Sequence, residues 1–245
     1  MPFLLMLFSS LSLAKTPTEI LEEAIAKQKI ENSIQTITMT LIAKNGTKQE
    51  RTMEIHVRKD EDAVRSYTRF SSPPEIAGTQ LLFVDVPNQD DPQLLYLPAL
   101  KRVQRISGSK KEGSFLGSDF LFSDLELSLD SNETHNIISE DDENWVIQSS
   151  NPQSKQYKHW ITTISKKDLL PYSIAYYAKN GSHLKTFSIE KTMTVEGRLI
   201  PSLTTMSNHI KGTKTQLEVN TIEINLSSEK LPMERFSPQN LKIND

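Results

Sequence analysis

Cysteine is absent from the 245 residues. That removes disulfides, thiol catalysis, thiolate metal sites and any lipid anchor attached through a cysteine. Glycine is scarce at 8 and falls mostly in turns, so no glycine-rich nucleotide loop can be drawn. Histidine is scarce too. His56, His135, His159, His183 and His209 show neither the i, i+4 pairing of a helical metal site nor an HExxH-like motif, and they read as scattered surface residues. In "GSFLG" Ser114 directly follows Gly113, without the strand-to-helix context of a nucleophile elbow. Glu140-Asp141-Asp142-Glu143 lacks the ligand alternation and glycine of a calcium loop and reads as a solvated hairpin tip. The net charge of −3 gives no global electrostatic case for nucleic acid. These exclusions leave no catalytic residue, metal or cofactor to assign.

Long hydrophobic runs are also missing, with one exception at the start, "MPFLLMLFSSLSLAKTPTEI". Phe3 to Leu13 is too short to span a bilayer as a helix. Ser12-Leu13-Ala14 follows the small-x-small pattern of signal cleavage, although no basic residue precedes Lys15. The expected arrangement is a secretory signal peptide over 1–14, cut after Ala14, and one domain over 15–245.

What is present is alternation. Thr16-Pro17-Thr18-Glu19 sets a helix start, with Thr as N-cap and Glu to close a capping box, and the helix should end near Lys29. Ile37, Met39, Leu41 and then Met53, Ile55, Val57 alternate with polar residues across "KNGT", where Asn-Gly predicts a type I′ hairpin. "AVRSYTRF", "TQLLFVDV" and "QLLYLP" read as strands, and from "YKHWITTI" onward the chain is a meander. The count is about ten or eleven strands. The apolar phase slips between Val219 and Ile222, which predicts a bulge. An apolar content of 36% suits antiparallel sheet with one solvated face. The expected fold is mainly β with a few helices: a half-open, strongly curled antiparallel β-barrel with an N-terminal helix and a helical or loop lid.

One stretch breaks the pattern: "SGSKKEGSFLGSDFLFSDLE", residues 107–126. A loop rich in glycine and serine carries Phe115, Leu116, Phe120, Leu121 and Phe122. Just before them Lys101, Arg102, Arg105, Lys110 and Lys111 run without an acid. "LYLPALKRVQRISGSKKEGSFLGSDFLFSDLE" (95–126) resembles the signature region of the outer-membrane lipoprotein-sorting protein family, a LolA-like group. "FSSPPEIAGTQLLFV" (70–84) and "LPYSIAYYAKNGSHLKTFSIEKTMTVEGRLIPSLTTMSN" (170–208) support it. The resemblance implies a soluble periplasmic carrier of lipids or lipoproteins, without catalysis. An inner-membrane transporter of the resistance-nodulation-division type is the implied partner, with transient membrane contact. The receptor branch of that superfamily is anchored through a cysteine, which this chain lacks.

The physical requirement agrees. A chain of about 16 carbons resists entering water by on the order of 12 kcal/mol, so a carrier must return most of that in an apolar cavity. Ile37, Met39, Leu41, Met53, Ile55 and Val57 are the expected lining. Phe115, Leu116, Phe120 and Phe122 are the expected lid or mouth, either as a moving gate or as a static cap. Lys101, Arg102 and Arg105 are the expected contact for headgroups or a partner, or a strand edge kept basic against aggregation. A lipid-acting hydrolase on the same scaffold and an envelope lipid or stress sensor are the alternatives.

Overall fold

The computed structural model describes residues 15–61, 63–86, 93–126 and 128–242. The expected signal peptide and its cleavage site at Ala14 lie outside them. Helix α1 (Pro17–Gln28) starts where the capping box predicts: Glu19 N–H donates to Thr16 Oγ1 at 3.3 Å and Thr16 N–H to Glu19 Oε2 at 2.7 Å. At the other end of α1, Arg198 donates to the carbonyls of Lys27 and Lys29, taking up acceptors that the helix leaves open.

Thirteen strands follow among the described residues, more than the alternation alone suggests. They are β1 (Ser33–Ile42), β2 (Lys48–Lys59), β3 (Val64–Ser72), β4 (Gln80–Asp85), β5 (Gln93–Leu97), β6 (Arg102–Ile106), β7 (Thr134–Glu140), β8 (Asn144–Ser150), β9 (Tyr157–Ser165), β10 (Pro171–Ala178), β11 (His183–Val195), β12 (Arg198–Asn208) and β13 (Thr213–Glu223). They form one antiparallel sheet in the order β6-β5-β4-β3-β2-β1-β13-β12-β11-β10-β9-β8-β7. The sheet does not close into a barrel, because β6 and β7 are both edges.

It does curl. Leu95 on β5 and Phe187 on β11 belong to one apolar cluster. In the strand order they stand seven positions apart, which on a flat sheet would be roughly 34 Å. Only a sheet wrapped around a concave face lets one loop join its two sides. Glu126 bonds Gln93 at the start of β5 and pairs with Lys111. The neighbouring Glu112 accepts from Lys155 N–H just before β9. Register shifts supply the bends, among them the one at Thr36/Ile37 opposite Val219–Thr221, where the phase slip in β13 predicts a bulge.

The antiparallel order fixes two ends. The β1–β2, β3–β4, β5–β6, β8–β9, β10–β11 and β12–β13 turns lie at one end, here the upper end. The β2–β3, β7–β8, β9–β10 and β11–β12 turns lie at the lower end with the end of α1. Inside the concave face, α1 packs Ile20, Leu21 and Ala24 on Ile147 and Ile164. On the outer face, Leu231, Phe236 and Leu241 of the C-terminal segment cover Tyr67, Leu82 and Tyr96, so β3 to β5 are buried on both sides.

The first hairpin departs from expectation in detail. Asn45 is not in the left-handed region. Gly46 alone is, at φ +84°, and its N–H donates to the Ala43 carbonyl. This is a turn with a glycine at its closing position rather than type I′.

Candidate functional site

Residues 107–126 leave the lower end of β6 and run over the concave face, the tip of the segment reaching Arg51, Lys185 and Thr213 near the upper end. A short 3-10 turn (Gly108–Glu112) comes first. A small two-stranded ribbon follows, in which Phe115 N–H donates to the Phe120 carbonyl at 2.8 Å and Phe122 N–H to the Gly113 carbonyl at 3.1 Å. Its tip is Leu116-Gly117, both at positive φ (+50° and +81°), closed by Ser118 N–H to the Phe115 carbonyl. The two positive φ angles in succession define a type I′ turn, here placed in the loop.

The ribbon aims its rings into the sheet. Phe115 and Phe120 are each 3% exposed and Phe122 is buried. Phe115 sits 6.3 Å from Phe70 and 5.4 Å, edge to face, from Phe122; Phe120 sits 6.5 Å from Phe187. The same cluster holds Ile37, Met39, Leu41, Met53 and Ile55 from the expected lining, together with Leu116. Val57 is half-buried and stands outside it. The expected lining and the expected lid are therefore in direct register, and the rings occupy the apolar surface that the strands present.

A polar clamp holds the loop, and the residue pattern alone does not reveal it. Lys185 on β11 donates from Nζ to Asp124 Oδ2 at 2.6 Å and to the Asp119 carbonyl at 3.2 Å. Both side chains of the pair are 3% exposed. The rings of Tyr157 and Tyr176 flank the ammonium at 5.2 Å each. Tyr157 Oη–H donates to Asp124 Oδ1, and Leu121 N–H to Asp124 Oδ2. Asp119 accepts from Thr213 Oγ1 at 2.6 Å and Thr215 Oγ1 at 3.0 Å, and its own N–H donates back to Thr215 Oγ1. Arg51 donates to the Leu116 carbonyl at 2.6 Å, fixing the ribbon tip.

Burial lowers the pKa of Lys185, with Asp124 opposing the shift. Burial, followed by the charge of Asp124, raises those of Tyr157 and Tyr176, which keeps both phenols protonated. The signal for this clamp was present in part. Two aspartates in "SDFLFSD" cannot enter an apolar core without partners. Their side-chain partners lie 33 or more residues downstream on other strands.

Glu133 lies beside the clamp, and its charge bears on Tyr176. Burial raises its carboxyl from the usual 4.5 to about 7. The folded state thus holds a proton that the unfolded chain releases between about pH 4.5 and 7, and stability falls as pH rises through that window. Glu133→Gln should raise stability by about 2 kcal/mol at pH 8 and leave it nearly unchanged at pH 4.5, read by denaturant unfolding at both values.

The histidines are not all scattered on the surface. His56 is buried against Tyr67. His183 and His209 stand 4.3 Å apart and share Thr186 Oγ1. Among the described residues no group of three or more His, Cys, Asp or Glu could hold a metal. Ser149, His135 and Glu133 do meet: Ser149 Oγ is 2.8 Å from His135 Nδ1, and His135 Nε2 is 3.7 Å from Glu133 Oε2. The ring is turned the wrong way for a hydrolytic triad, in which Nε2 faces the serine. Ser149 is also 1% exposed and is simply the cross-strand neighbour of His135. Lys101, Arg102 and Arg105 lie exposed at and along β6, an edge strand. No described helix is long and apolar enough to cross a membrane.

An open, curled antiparallel sheet whose apolar concave face is covered by a helix and a loop is the LolA-like fold. A protein described as an outer-membrane lipoprotein-sorting domain from Vibrio parahaemolyticus superposes with a TM-score of 0.79 at 27% identity, covering 91% of this chain and 97% of its own. A DUF1329 family protein from Desulfovibrio piger (0.77, 21%, 93% and 100%) and a LolA superfamily protein from Nitrosomonas europaea (0.70, 16%, 93% and 100%) share the fold. No curated protein matches. A family model whose description reads only "uncharacterized protein"-like matches residues 62–243. The chain belongs to the family of that model, and its fold is the one shared by these lipoprotein-sorting and LolA superfamily structures.

Proposed function

We propose that this chain is a periplasmic carrier that binds acyl chains of lipids or lipoproteins and passes them towards the outer membrane. The observation that carries the reading is the single apolar cluster in which Ile37, Met39, Leu41, Met53 and Ile55 meet Phe115, Phe120 and Phe122. A carrier of acyl chains needs such a surface, and needs it shielded from water when empty. The loop rings shield it, and cargo would take their place. The 27% identical Vibrio domain, described by its sorting role, supports the same reading.

In this reading residues 1–14 are a signal peptide removed on export, and 15–245 form the carrier domain. Lys101, Arg102 and Arg105 contact headgroups or an acidic partner. An inner-membrane transporter of the resistance-nodulation-division type is a candidate donor. The reversed and buried Ser149–His135–Glu133 contact supports a role without catalysis.

Native mass spectrometry of the periplasmic protein, purified without detergent, tests it. The expected species is a chain starting at Lys15 with lipid bound, and a fluorescent fatty acid should titrate the stripped protein to saturation. A chain that carries no lipid and shows no saturable acyl binding would overturn the reading.

A further inference from the structure

The net charge of −3 conceals a polarised molecule. The six upper turns carry Lys44, Lys101, Lys155, Lys179 and Lys211 against a single acid, Glu75. The described lower turns carry Asp60, Glu61, Asp141, Asp142, Glu143 and Glu196, among others, against Lys166 and Lys167. Three of the upper turns form one continuous surface. A side chain at Gly212 would meet the Lys44 chain at 3.2 Å, which joins the β1–β2 and β12–β13 tips. Thr186, between His183 and His209, joins the β12–β13 and β10–β11 tips.

In those three tips, residues 43–49, 178–184 and 208–214, there are five lysines and no acid. All five are exposed, and none forms an ion pair among the described residues. Between them Ile210 projects with 63% of its surface in water, the most exposed large apolar residue described.

We infer that this tip surface docks on an anionic lipid bilayer, with the lysines at the headgroups and Ile210 entering the interface. An acidic protein partner would be met equally well by lysines. It would not explain why a large aliphatic side chain stands exposed among those lysines, whereas a bilayer accepts such a side chain anywhere on its surface. The placement has a purpose only if the carrier reading holds. Thr213 and Thr215, at the root of the β12–β13 tip, bind Asp119 of the covering loop, so a membrane at this end faces the loop edge.

Co-sedimentation with vesicles of phosphatidylglycerol in phosphatidylcholine tests the inference. The wild-type protein should bind these vesicles, ignore pure phosphatidylcholine, and be released by high salt. The triple variant Lys44→Glu, Lys179→Glu, Lys211→Glu should lower binding by about 100-fold or more. Ile210→Ser should lower it by about tenfold. Fluorescent fatty-acid titration of each variant, unchanged from wild type, shows that fold and cargo site are intact, and so separates failure of the docking surface from failure of the carrier reading. The inference is overturned if wild-type protein ignores the anionic vesicles, binds both kinds equally, or is released by no salt concentration. It is overturned equally if the triple variant binds like wild type.

Discussion

Replacing Lys185 with Met should destabilise the protein by about 3–5 kcal/mol, the cost of leaving a buried partner charge uncompensated. The expectation rests on Asp124. It is buried to the same degree as the lysine and keeps two other donors, Tyr157 Oη and Leu121 N–H, after the ammonium is gone. Those two bonds cannot neutralise it. For a domain of this size the loss corresponds to a fall of about 10 °C in Tm. Adding Asp124→Asn should restore much of the loss, because the amide oxygen still accepts a hydrogen bond and no charge remains. Thermal unfolding of the two single variants and the double variant closes the cycle. If Lys185→Met costs less than about 1 kcal/mol, the pair is not the clamp its burial indicates.

The clamp also explains why a loop so rich in glycine and serine is ordered. Fixing its backbone costs about 1–2 kcal/mol per residue, and ring burial must offset that together with the buried pair and the Asp119 contacts. Leu116 adds a further cost at φ +50°, which the Arg51 bond to its carbonyl helps to hold. The loop is therefore fastened at several separate points, on β2, β9, β11 and β13. Opening it requires breaking buried polar contacts as well as apolar ones.

How much of this could be read in the residues differs from element to element. Alternation over Ile37–Leu41 and Met53–Val57 places β1 and β2, and the Thr16–Glu19 box places α1, because both signals are local. β6, β7 and β8 escape the same reading. "RVQRI" and "THNIISE" are the two edge strands, in which exposed charged and polar side chains dilute the alternation. β8, "NWVIQSS", has only two fully buried positions, Ile147 and Ser149, and only one of them is apolar. The apolar half of the site is legible because Phe115, Phe120 and Phe122 are conspicuous in a polar loop. The polar half is not, because Lys185 gives no local sign that it turns inward. The upper lysines are legible one at a time, but they become a surface only once the strand order sets their turns side by side.

Truncating the loop rings should have two opposed effects. In the empty protein, Phe120→Ala should cost about 3–5 kcal/mol, as should Phe115→Ala, since each ring is fully enclosed and its loss leaves a void. The cost cannot exceed the free energy that docks the loop. Beyond that limit the loop detaches and the rest of the sheet remains folded. Hydrogen exchange distinguishes the two regimes: a detached loop loses protection over 107–126 alone, while a weakened core loses it throughout. The void left by the double variant is lined by Phe70, Met39, Met206 and their neighbours, and an apolar void of this kind takes up apolar ligands. A long-chain fatty acid should therefore bind the double variant more tightly than wild type, because it no longer has to displace two rings. At a hundredfold excess over its Kd it should return about 2.7 kcal/mol of stability. Unfolding with and without fatty acid provides the measurement. A double variant that loses stability and gains nothing from the ligand would mean that the rings fill core and that acyl chains bind elsewhere. One that regains stability, while wild type gains less at the same concentration, would place the acyl chain where the rings now lie.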